Sequence, residues 1–353
     1  MKPLVQVLVV DDSPSQLALI VGLLRASGEF NVVGTAGNGK EAVTTTERLR
    51  PAVVAMDIHL PLMDGYEATR QIMQRCPTPI VMFSNSAGDA EHRSIQALAA
   101  GALAVVRKPG NLMSQAGREE RETFLKMLRL MAHVPVITRH APPVRPFAPP
   151  VSNKTAGAAR ALQLLAVATS TGGPAALQTF FSGIGSGFPL PIAVVQHISR
   201  GFSVALVDWL ASVSPQPMHV VVSEEHMRPG HAYFAPDDHH LVIRGRGLVA
   251  IQPVQPADRY SPSADVLFNS TARTYGAQAI GVIMTGMGDD GALGMQAMYR
   301  AGAITLAQDE ASSVVYGMPQ AAILMGAVSH VLSLTDLAPM VLSFTAGLSV
   351  GRQ

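Results

Sequence analysis

Cysteine and net charge are both scarce in this sequence. Cys76 is the only cysteine among 353 residues, so no disulfide can form within the chain, as is usual for proteins of a reducing compartment. Lysine and arginine number 26 against 25 acidic residues, which gives a formal net charge of +1, and no basic run is present. Because proteins that bind nucleic acids carry a basic patch, we expect no nucleic-acid partner.

Long apolar runs are also missing. No stretch reaches the about 20 apolar residues that a membrane-spanning helix needs. The first residues, Met1-Lys2-Pro3, lead directly into the strand-like segment Leu4–Val10, without the plan of a signal peptide. These features predict a cytoplasmic protein that does not insert into the membrane.

Apolar residues make up 48% of the chain and charged residues 14%, which favours two well-filled cores over a disordered chain. In residues 1–131, short apolar runs alternate with amphipathic stretches, the pattern of βα repeats around a parallel sheet. A proline-rich stretch without any period predicts an extended linker within residues 132–160. The alternating pattern resumes over residues 161–350, and we predict a second α/β domain there.

Polar side chains stand at the carboxyl ends of the strands predicted for the first domain. Asp11 and Asp12 follow the first strand, Asp57 ends the third, Ser84 the fourth and Lys108 the fifth. Since functional groups collect at the carboxyl ends of parallel strands, all five should converge. Three carboxylates in one place require a hard cation, and we predict that Asp11, Asp12 and Asp57 bind Mg²⁺. An aspartate in such a site can attack phosphorus, while Lys108 and the cation offset the charge of the phosphoryl group.

Three segments of the first domain carry these residues. They read Leu8-Val9-Val10-Asp11-Asp12-Ser13, Met56-Asp57-Ile58-His59-Leu60-Pro61-Leu62-Met63-Asp64-Gly65 and Lys108-Pro109. The domain thereby resembles the receiver domains of two-component response regulators, which implies a flavodoxin-like fold. The resemblance also implies that a histidine kinase phosphorylates Asp57. The Ser84 hydroxyl could then hydrogen-bond a phosphoryl oxygen, beside the ammonium of Lys108. Val105 departs from these receivers, which often have an aromatic switch residue three positions before the lysine.

In the second domain, residues 166–174 predict a strand, a tight turn and the start of a helix. They read Ala166-Val167-Ala168-Thr169-Ser170-Thr171-Gly172-Gly173-Pro174, in which glycines allow the turn and proline suits the first helical position. Ser170 would lie where backbone N–H groups and the positive end of the helix dipole favour an oxyanion. The pattern is not the Gly-x-Ser-x-Gly elbow of the α/β-hydrolases, so their fold is not assumed. A phosphate-binding turn or a helix cap is the alternative interpretation.

A nucleophilic serine needs an imidazole base, which a carboxylate orients. We prefer His197 because it ends a buried type of strand, as Ser170 does, so that both can face one crevice. Its rivals are His219, His226, His231, His239 and His240. The last two adjoin Asp237 and Asp238, but neighbouring residues of a strand point to opposite faces. A solvated turn is therefore favoured there over a metal site.

A glycine-rich loop after another predicted strand offers the carboxylate. It reads Thr285-Gly286-Met287-Gly288-Asp289-Asp290-Gly291. Either Asp289 or Asp290 could orient the histidine, and a helix-capping role for Asp290 stays open on these grounds. The backbone N–H of Met287 could donate to an oxyanion.

Four segments of the second domain belong together as motifs. They are Ser170-Thr171-Gly172-Gly173-Pro174, Val195-Gln196-His197, Thr285–Gly291 and Ala307-Gln308-Asp309-Glu310-Ala311-Ser312-Ser313-Val314-Val315-Tyr316-Gly317-Met318-Pro319. They resemble the catalytic domain of chemotaxis protein-glutamate methylesterases, which implies a second doubly wound, mainly parallel α/β fold without a cofactor. The resemblance implies Ser170 as nucleophile, His197 as base and Asp290 as the orienting acid. It also implies that the backbone N–H groups of Thr171 and Met287 hold the oxyanion.

The reaction implied by this resemblance is hydrolysis of glutamate γ-methyl esters, with deamidation of glutamines. Its substrates would be the cytoplasmic helices of methyl-accepting receptors, and phosphorylation of Asp57 would control it. Two positions depart from the family and are expected beside the substrate cleft. Tyr260-Ser261-Pro262-Ser263 stands where the family usually has His-Arg-Pro-Ser, and Thr169 stands where alanine is usual.

Two other classes of function are alternatives to the esterase. One is a receiver joined to an inactive esterase-like domain that acts only by binding, in a two-component pathway other than chemotaxis. The intact Ser170, His197 and Asp290 argue against it. The other is a DNA-binding response regulator, which the near-neutral charge and the second α/β pattern disfavour.

Overall fold

Two parallel sheets, one in each half of the chain, organise this protein. The computed structural model describes residues 3–84, 90–109, 115–132, 162–198 and 200–346. Contacts divide the chain into two units, residues 1–141 and 142–353. Of the predicted linker, only Ala132 belongs to the described residues. The boundaries of that linker therefore stay a prediction.

The first unit is a five-stranded parallel sheet in the order β2-β1-β3-β4-β5. Its strands are β1 (Val5–Val10), β2 (Phe30–Ala36), β3 (Val53–Asp57), β4 (Ile80–Ser84) and β5 (Ala104–Arg107). Its helices are α1 (Pro14–Ala26), α2 (Gly39–Leu49), α3 (Gly65–Arg75), α4 (Ala90–Ala100) and α5 (Gln115–Met131). This strand order is that of the flavodoxin-like fold, and the predicted fold class of the first domain is confirmed.

Local sequence explains most of these elements. Strand β3 is buried along its whole length, which its run of apolar residues favours. Helices α2 and α3 begin at Asn38 and Asp64, whose side chains accept hydrogen bonds from backbone N–H groups of the first turn. Ser13 precedes α1 but its side chain makes no capping bond, and its hydroxyl lies 2.9 Å from that of Ser15. Pro14 does occupy the first helical position.

The second unit contains a seven-stranded parallel sheet in the order β15-β14-β13-β6-β7-β10-β8, and a three-stranded antiparallel sheet in the order β11-β12-β9. The strands are β6 (Leu164–Thr169), β7 (Ile192–Gln196), β8 (Met218–Val220), β9 (Glu225–His226), β10 (Ala232–Phe234), β11 (His239–Gly245), β12 (Leu248–Pro253), β13 (Ala279–Ile283), β14 (Ile304–Gln308) and β15 (His330–Leu332). The helices are α6 (Gly173–Ile184), α7 (Ser203–Val213), α8 (Ala264–Tyr275), α9 (Ala292–Arg300), α10 (Gly317–Leu324) and α11 (Leu334–Thr345), with a short 3₁₀ helix at Gly276–Gln278. The mainly parallel α/β fold predicted for this domain is confirmed.

The order of the large sheet reverses at β6. The chain runs outward from β6 through β7, and later returns to lay β13 on the other side of β6. In open parallel sheets a crevice forms at such a reversal, outside the carboxyl ends of the strands. The residues after β6, β7 and β13 therefore meet at one place. Among the described helices of either unit, none is long and apolar enough to cross a membrane.

Candidate active site

The carboxyl ends of β1, β3 and β5 bring Asp11, Asp57 and Lys108 together in the first unit. Lys108 Nζ lies 2.6 Å from Asp11 Oδ2 and donates a hydrogen bond of 2.8 Å to Asp57 Oδ2. All three side chains are buried. Burial lowers the pKa of Lys108, but the hydrogen bonds and charges of the two carboxylates outweigh it and raise that pKa above its ordinary value. The lysine is therefore a fixed positive charge beside Asp57.

The same group of side chains could hold a cation. Carboxylate oxygens of Asp11, Asp12 and Asp57 lie within 4.8 Å of one another. Asp11 and Asp57 are buried, and Lys108 pairs with one oxygen of each, whereas Asp12 is exposed. A set of carboxylate oxygens from three residues fits a hard cation such as Mg²⁺.

Ser84 and Val105 are the two remaining positions of interest in the first domain. Ser84 is the last residue of β4, opposite Arg107 of β5, but its side chain lies outside the described part of the chain. Val105 is half-buried and packs against the core of the first sheet.

The serine turn of the second unit follows β6. Ser170 N–H donates to Thr285 O at 3.0 Å, and Gly173 N–H donates to Ser170 O at 2.8 Å, which closes the turn before α6. Gly172 has a φ of 80°, and a Cβ there would lie only 2.5 Å from Val314 Cβ, so this position requires glycine. Ser170 is half-buried, and its hydroxyl makes no hydrogen bond with any described residue.

His197 lies directly beside this turn. Thr169 of β6 pairs with Gln196 of β7, and His197 N–H donates to Thr169 O at 3.0 Å. The imidazole is 16% exposed, and its Nε2 lies 2.7 Å from Asp290 Oδ2. A neutral ring that carries its proton on Nε2 would donate to Asp290. It would keep a lone pair on Nδ1, which can then accept a proton from a serine hydroxyl.

Asp290 is held by more than the histidine. Its Oδ2 accepts a hydrogen bond from Ala264 N at 2.6 Å, and its Oδ1 accepts bonds from Ser263 Oγ at 2.9 Å and Asp265 N at 3.1 Å. These donors form the start of α8, so the carboxylate lies at the positive end of a helix. Burial raises the pKa of Asp290, but the bonds from His197 and from the helix N–H groups outweigh it and hold the pKa below its usual range. The carboxylate therefore stays ionised.

Asp289 points elsewhere. Its side chain is 55% exposed, its Oδ1 accepts a hydrogen bond of 2.8 Å from the Tyr260 hydroxyl, and its Oδ2 accepts one of 3.2 Å from Arg259. The spacing of residues in the loop does not indicate which of the two aspartates contacts the histidine, whereas the tertiary structure brings Asp290 to His197.

Two backbone N–H groups near Ser170 are available to a ligand. The N–H groups of Thr171 and Met287 donate to no described residue. The loop that carries Met287 is fixed at Gly286, whose N–H donates to Val315 O and whose O accepts from Gly317 and Met318 N–H groups at 2.9 Å. Gly286 also lies against the serine, since a Cβ there would be 2.8 Å from Ser170 Cβ. Free N–H groups on fixed loops can stabilise a developing oxyanion.

Comparison with known proteins follows the same division of the chain. The family model described as CheB methylesterase matches residues 165–341, and that of the response regulator receiver domain matches residues 7–115. The chain belongs to the CheB methylesterase family.

Relatives of the CheB family align with nearly the whole chain. Protein-glutamate methylesterase/protein-glutamine glutaminase 4 of Myxococcus xanthus is 43% identical over 97% of this chain and 97% of its own length. Protein-glutamate methylesterase/protein-glutamine glutaminase 1 of Syntrophus aciditrophicus is 38% identical over 98% of this chain and 100% of its own. The CheB methylesterase catalytic domain of Thermotoga maritima, a solved structure, is 31% identical and covers 52% of this chain and 98% of its own, with a TM-score of 0.49. The family resemblance stated from the motifs is confirmed.

Gln196 is a residue of the CheB-family site to which the sequence assigned no role. Its buried side chain donates from Nε2 to the carbonyl oxygens of Ser170 and His197, at 2.8 Å each. It thus connects the turn after β6 to the end of β7, next to Ser170 and His197. Its position next to His197 in the motif could have indicated a role in the site, but its hydrogen bond to Ser170 O depends on the register of β6 and β7.

Thr169, expected beside the substrate cleft, lies next to Ser170 and is fully buried, and its hydroxyl donates to Thr285 O at 2.8 Å, where it supports the serine turn. The expectation of a solvated turn was wrong for His240. This histidine is 1% exposed, its Nε2 lies 2.8 Å from Asp258 Oδ2, and its Nδ1 accepts from Ser263 N–H at 3.0 Å. That error arose because the polarity of the Asp237–His240 segment was taken for exposure, although Asp258 and Ser263 provide hydrogen-bond partners for the buried imidazole.

Proposed function

We propose that this protein is a phosphorylation-regulated serine hydrolase of the cytoplasm. It demethylates glutamate γ-methyl esters on the helices of methyl-accepting receptors, and it deamidates glutamines there. The observation that carries the proposal is the 2.7 Å contact between His197 Nε2 and the buried Asp290, beside the free hydroxyl of Ser170. The names of the Myxococcus and Syntrophus relatives, which align end to end with this chain, support the substrate class.

The geometry suits a two-step acyl transfer. His197 Nδ1 accepts the proton of Ser170 as the serine oxygen attacks the ester carbonyl carbon, and the Asp290 carboxylate stabilises the imidazolium that forms. The N–H groups of Thr171 and Met287 donate to the oxyanion, and each such bond is typically worth about 2.7–4 kcal/mol in comparable sites. Collapse of the intermediate breaks the C–O bond, and His197 returns its proton to the departing oxygen, which leaves as methanol.

Water completes the reaction. His197 takes a proton from a water molecule, whose oxygen attacks the acyl carbon, and the proton then returns to Ser170 as its oxygen leaves. The products are a glutamate carboxylate and the free serine. With a glutamine side chain, the same steps release ammonia in place of methanol and again leave glutamate.

The proposed control lies in the first domain. Asp57 would accept a phosphoryl group from a histidine kinase, with Asp11, Asp12 and Asp57 as the residues that hold Mg²⁺. When bound, this cation would neutralise charge on the transferring group. Lys108, which already contacts Asp57 at 2.8 Å, would pair with the phosphoryl oxygens.

A methanol-release assay tests the proposal as a whole. The full-length protein is incubated with a methylated receptor fragment, with and without a small phosphodonor such as acetyl phosphate. We expect release of methanol in both cases and a faster release with the phosphodonor. No release under either condition would contradict the proposed activity.

Asp57→Asn should remove the activation by phosphodonor and leave the basal rate of hydrolysis intact. Asparagine cannot form the acyl phosphate, and the reacting groups of the esterase lie in the other unit. Asp64→Asn is the matched control, because it makes the same exchange nearby and asparagine can still cap α3. If both variants are activated as strongly as the wild type, Asp57 is not the regulatory phosphorylation site.

Chelation of divalent cations with EDTA should block phosphorylation of Asp57 without affecting basal hydrolysis. The first domain depends on the cation to neutralise the transferring group, whereas the serine mechanism uses only protein groups. Phosphorylation is measured by gel shift or mass spectrometry, and hydrolysis by methanol release in the same sample. Restoration of phosphorylation by added Mg²⁺ is the control, and unaltered phosphorylation in EDTA would contradict the proposed cation site.

A further inference from the structure

At Tyr260 this chain departs from the family motif, and the tyrosine takes no part in the proton transfers proposed for Ser170 and His197. Its ring stacks on the imidazole of His197, with centroids 5.4 Å apart and planes 2° from parallel. This is the offset-stacked arrangement that aromatic pairs prefer. The tyrosine therefore contacts the proposed base directly.

The structure holds Tyr260 in place from several sides. Its hydroxyl donates to Asp289 Oδ1 at 2.8 Å, and the Arg259 guanidinium lies 5.1 Å from its ring centroid while also pairing with Asp289. Burial and the Asp289 carboxylate raise the pKa of Tyr260, so the hydroxyl keeps its proton and remains a donor. Gly288 leaves the necessary space, because a Cβ at that position would lie 2.9 Å from the hydroxyl oxygen. Asp289, whose carboxylate bonds to Tyr260 and Arg259 and not to His197, thus has a role in fixing the tyrosine.

His197 needs a second constraint of this kind. Its hydrogen bond to Asp290 fixes one nitrogen but leaves the ring free to rotate about that contact. Proton transfer from Ser170 requires Nδ1 to point at the serine, and hence a fixed ring plane. A parallel aromatic ring restricts this rotation. Its π face also attracts the imidazolium that forms when the proton arrives.

We infer that Tyr260 is a positioning residue that fixes the ring plane of His197 for proton transfer from Ser170. The inference rests on the proposed serine mechanism. It assigns the effect of Tyr260 to the aromatic face, and only a supporting role to the hydroxyl. Loss of the ring should therefore slow the reaction of Ser170 itself and leave substrate affinity unchanged.

The test measures how fast a fluorophosphonate probe modifies Ser170 in the full-length protein. Tyr260→Leu should lower the second-order rate constant about two- to tenfold, the range that a lost aromatic pair predicts. Tyr260→Phe keeps the stack and should remain within about twofold of the wild type. Tyr299→Leu is the matched control, because Tyr299 is 47% exposed on α9 and should not affect the rate. With a methylated receptor fragment, Tyr260→Leu should lower kcat and leave KM unchanged.

The possible outcomes are distinguishable. If the probe does not modify Ser170 in the wild type, the proposed function fails and this inference with it. If the wild type reacts but Tyr260→Leu reacts equally fast, only the inference fails. A raised KM with an unaltered probe rate would make Tyr260 a substrate contact and overturn the positioning role. Equal losses of the probe rate in the Phe and Leu variants would overturn the role of the ring. If Tyr260→Leu melts at a lower temperature than Tyr299→Leu, Tyr260→Met, a second non-aromatic variant, is measured in its place.

Discussion

Ser170→Ala is expected to reduce ester hydrolysis by more than about 10³-fold, because no other group can form the acyl-enzyme. The folded state should be affected little. The Ser170 hydroxyl bonds to no described residue, and the turn is held by backbone hydrogen bonds that alanine also makes. We expect the free energy of unfolding to change by less than about 1 kcal/mol.

Ser212→Ala provides the matched control for this experiment. Ser212 is exposed near the end of α7, and its hydroxyl bonds only to Trp209 O within the same helix. Both variants are assayed for methanol release and for melting temperature in one buffer. Ser212→Ala should match the wild type in both measurements. If Ser170→Ala keeps a tenth or more of wild-type turnover, the serine mechanism is wrong.

Asp290→Asn should reduce turnover far more than Asp289→Asn. Every bond to the Asp290 carboxylate comes from a donor, with His197 and Ala264 on Oδ2 and Ser263 and Asp265 on Oδ1. An asparagine at this position must place its NH₂ group against donors on one side or the other. If the NH₂ group faces His197, it donates to Nε2, and the ring then carries its proton on Nδ1, where it cannot accept a proton from Ser170. In a serine protease the corresponding exchange costs about 10⁴-fold in turnover, which is a guide to the upper limit here.

The neighbouring variant tests whether the effect is specific. An asparagine at position 289 can still accept from the Tyr260 hydroxyl through its carbonyl oxygen and loses only an exposed pair with Arg259. We expect turnover to fall by about tenfold or less, because a weaker bond to the Tyr260 hydroxyl holds the ring less firmly against His197. Turnover and melting temperature are measured for both variants under identical conditions. A larger turnover loss at Asp289, with both proteins folded, would show that Asp290 is not the orienting acid.

Much of the fold was predictable because its signals are local. The apolar runs of β1, β3 and β6 and the turn residues after them depend on neighbours within a few positions. Motifs such as Ser170-Thr171-Gly172-Gly173-Pro174 are short segments too, and they indicate the family without any tertiary information. What failed was the inference about exposure at His240, which is polar but buried because its partner Asp258 lies in a different segment of the chain.

The sequence by itself determined that this protein has two α/β domains, a receiver-type group of carboxylates and a serine at a strand-to-helix turn, because periodicity, glycines and strand ends are properties of short segments. The family resemblance implied Asp290 as the partner of His197, but only the tertiary structure shows that contact and the stacking of Tyr260 on the imidazole ring. Those contacts follow from the reversal of strand order at β6 and from the placement of the start of α8 beside the loop after β13. Strand order results from packing between segments that are distant in sequence, so it cannot be predicted from a local pattern.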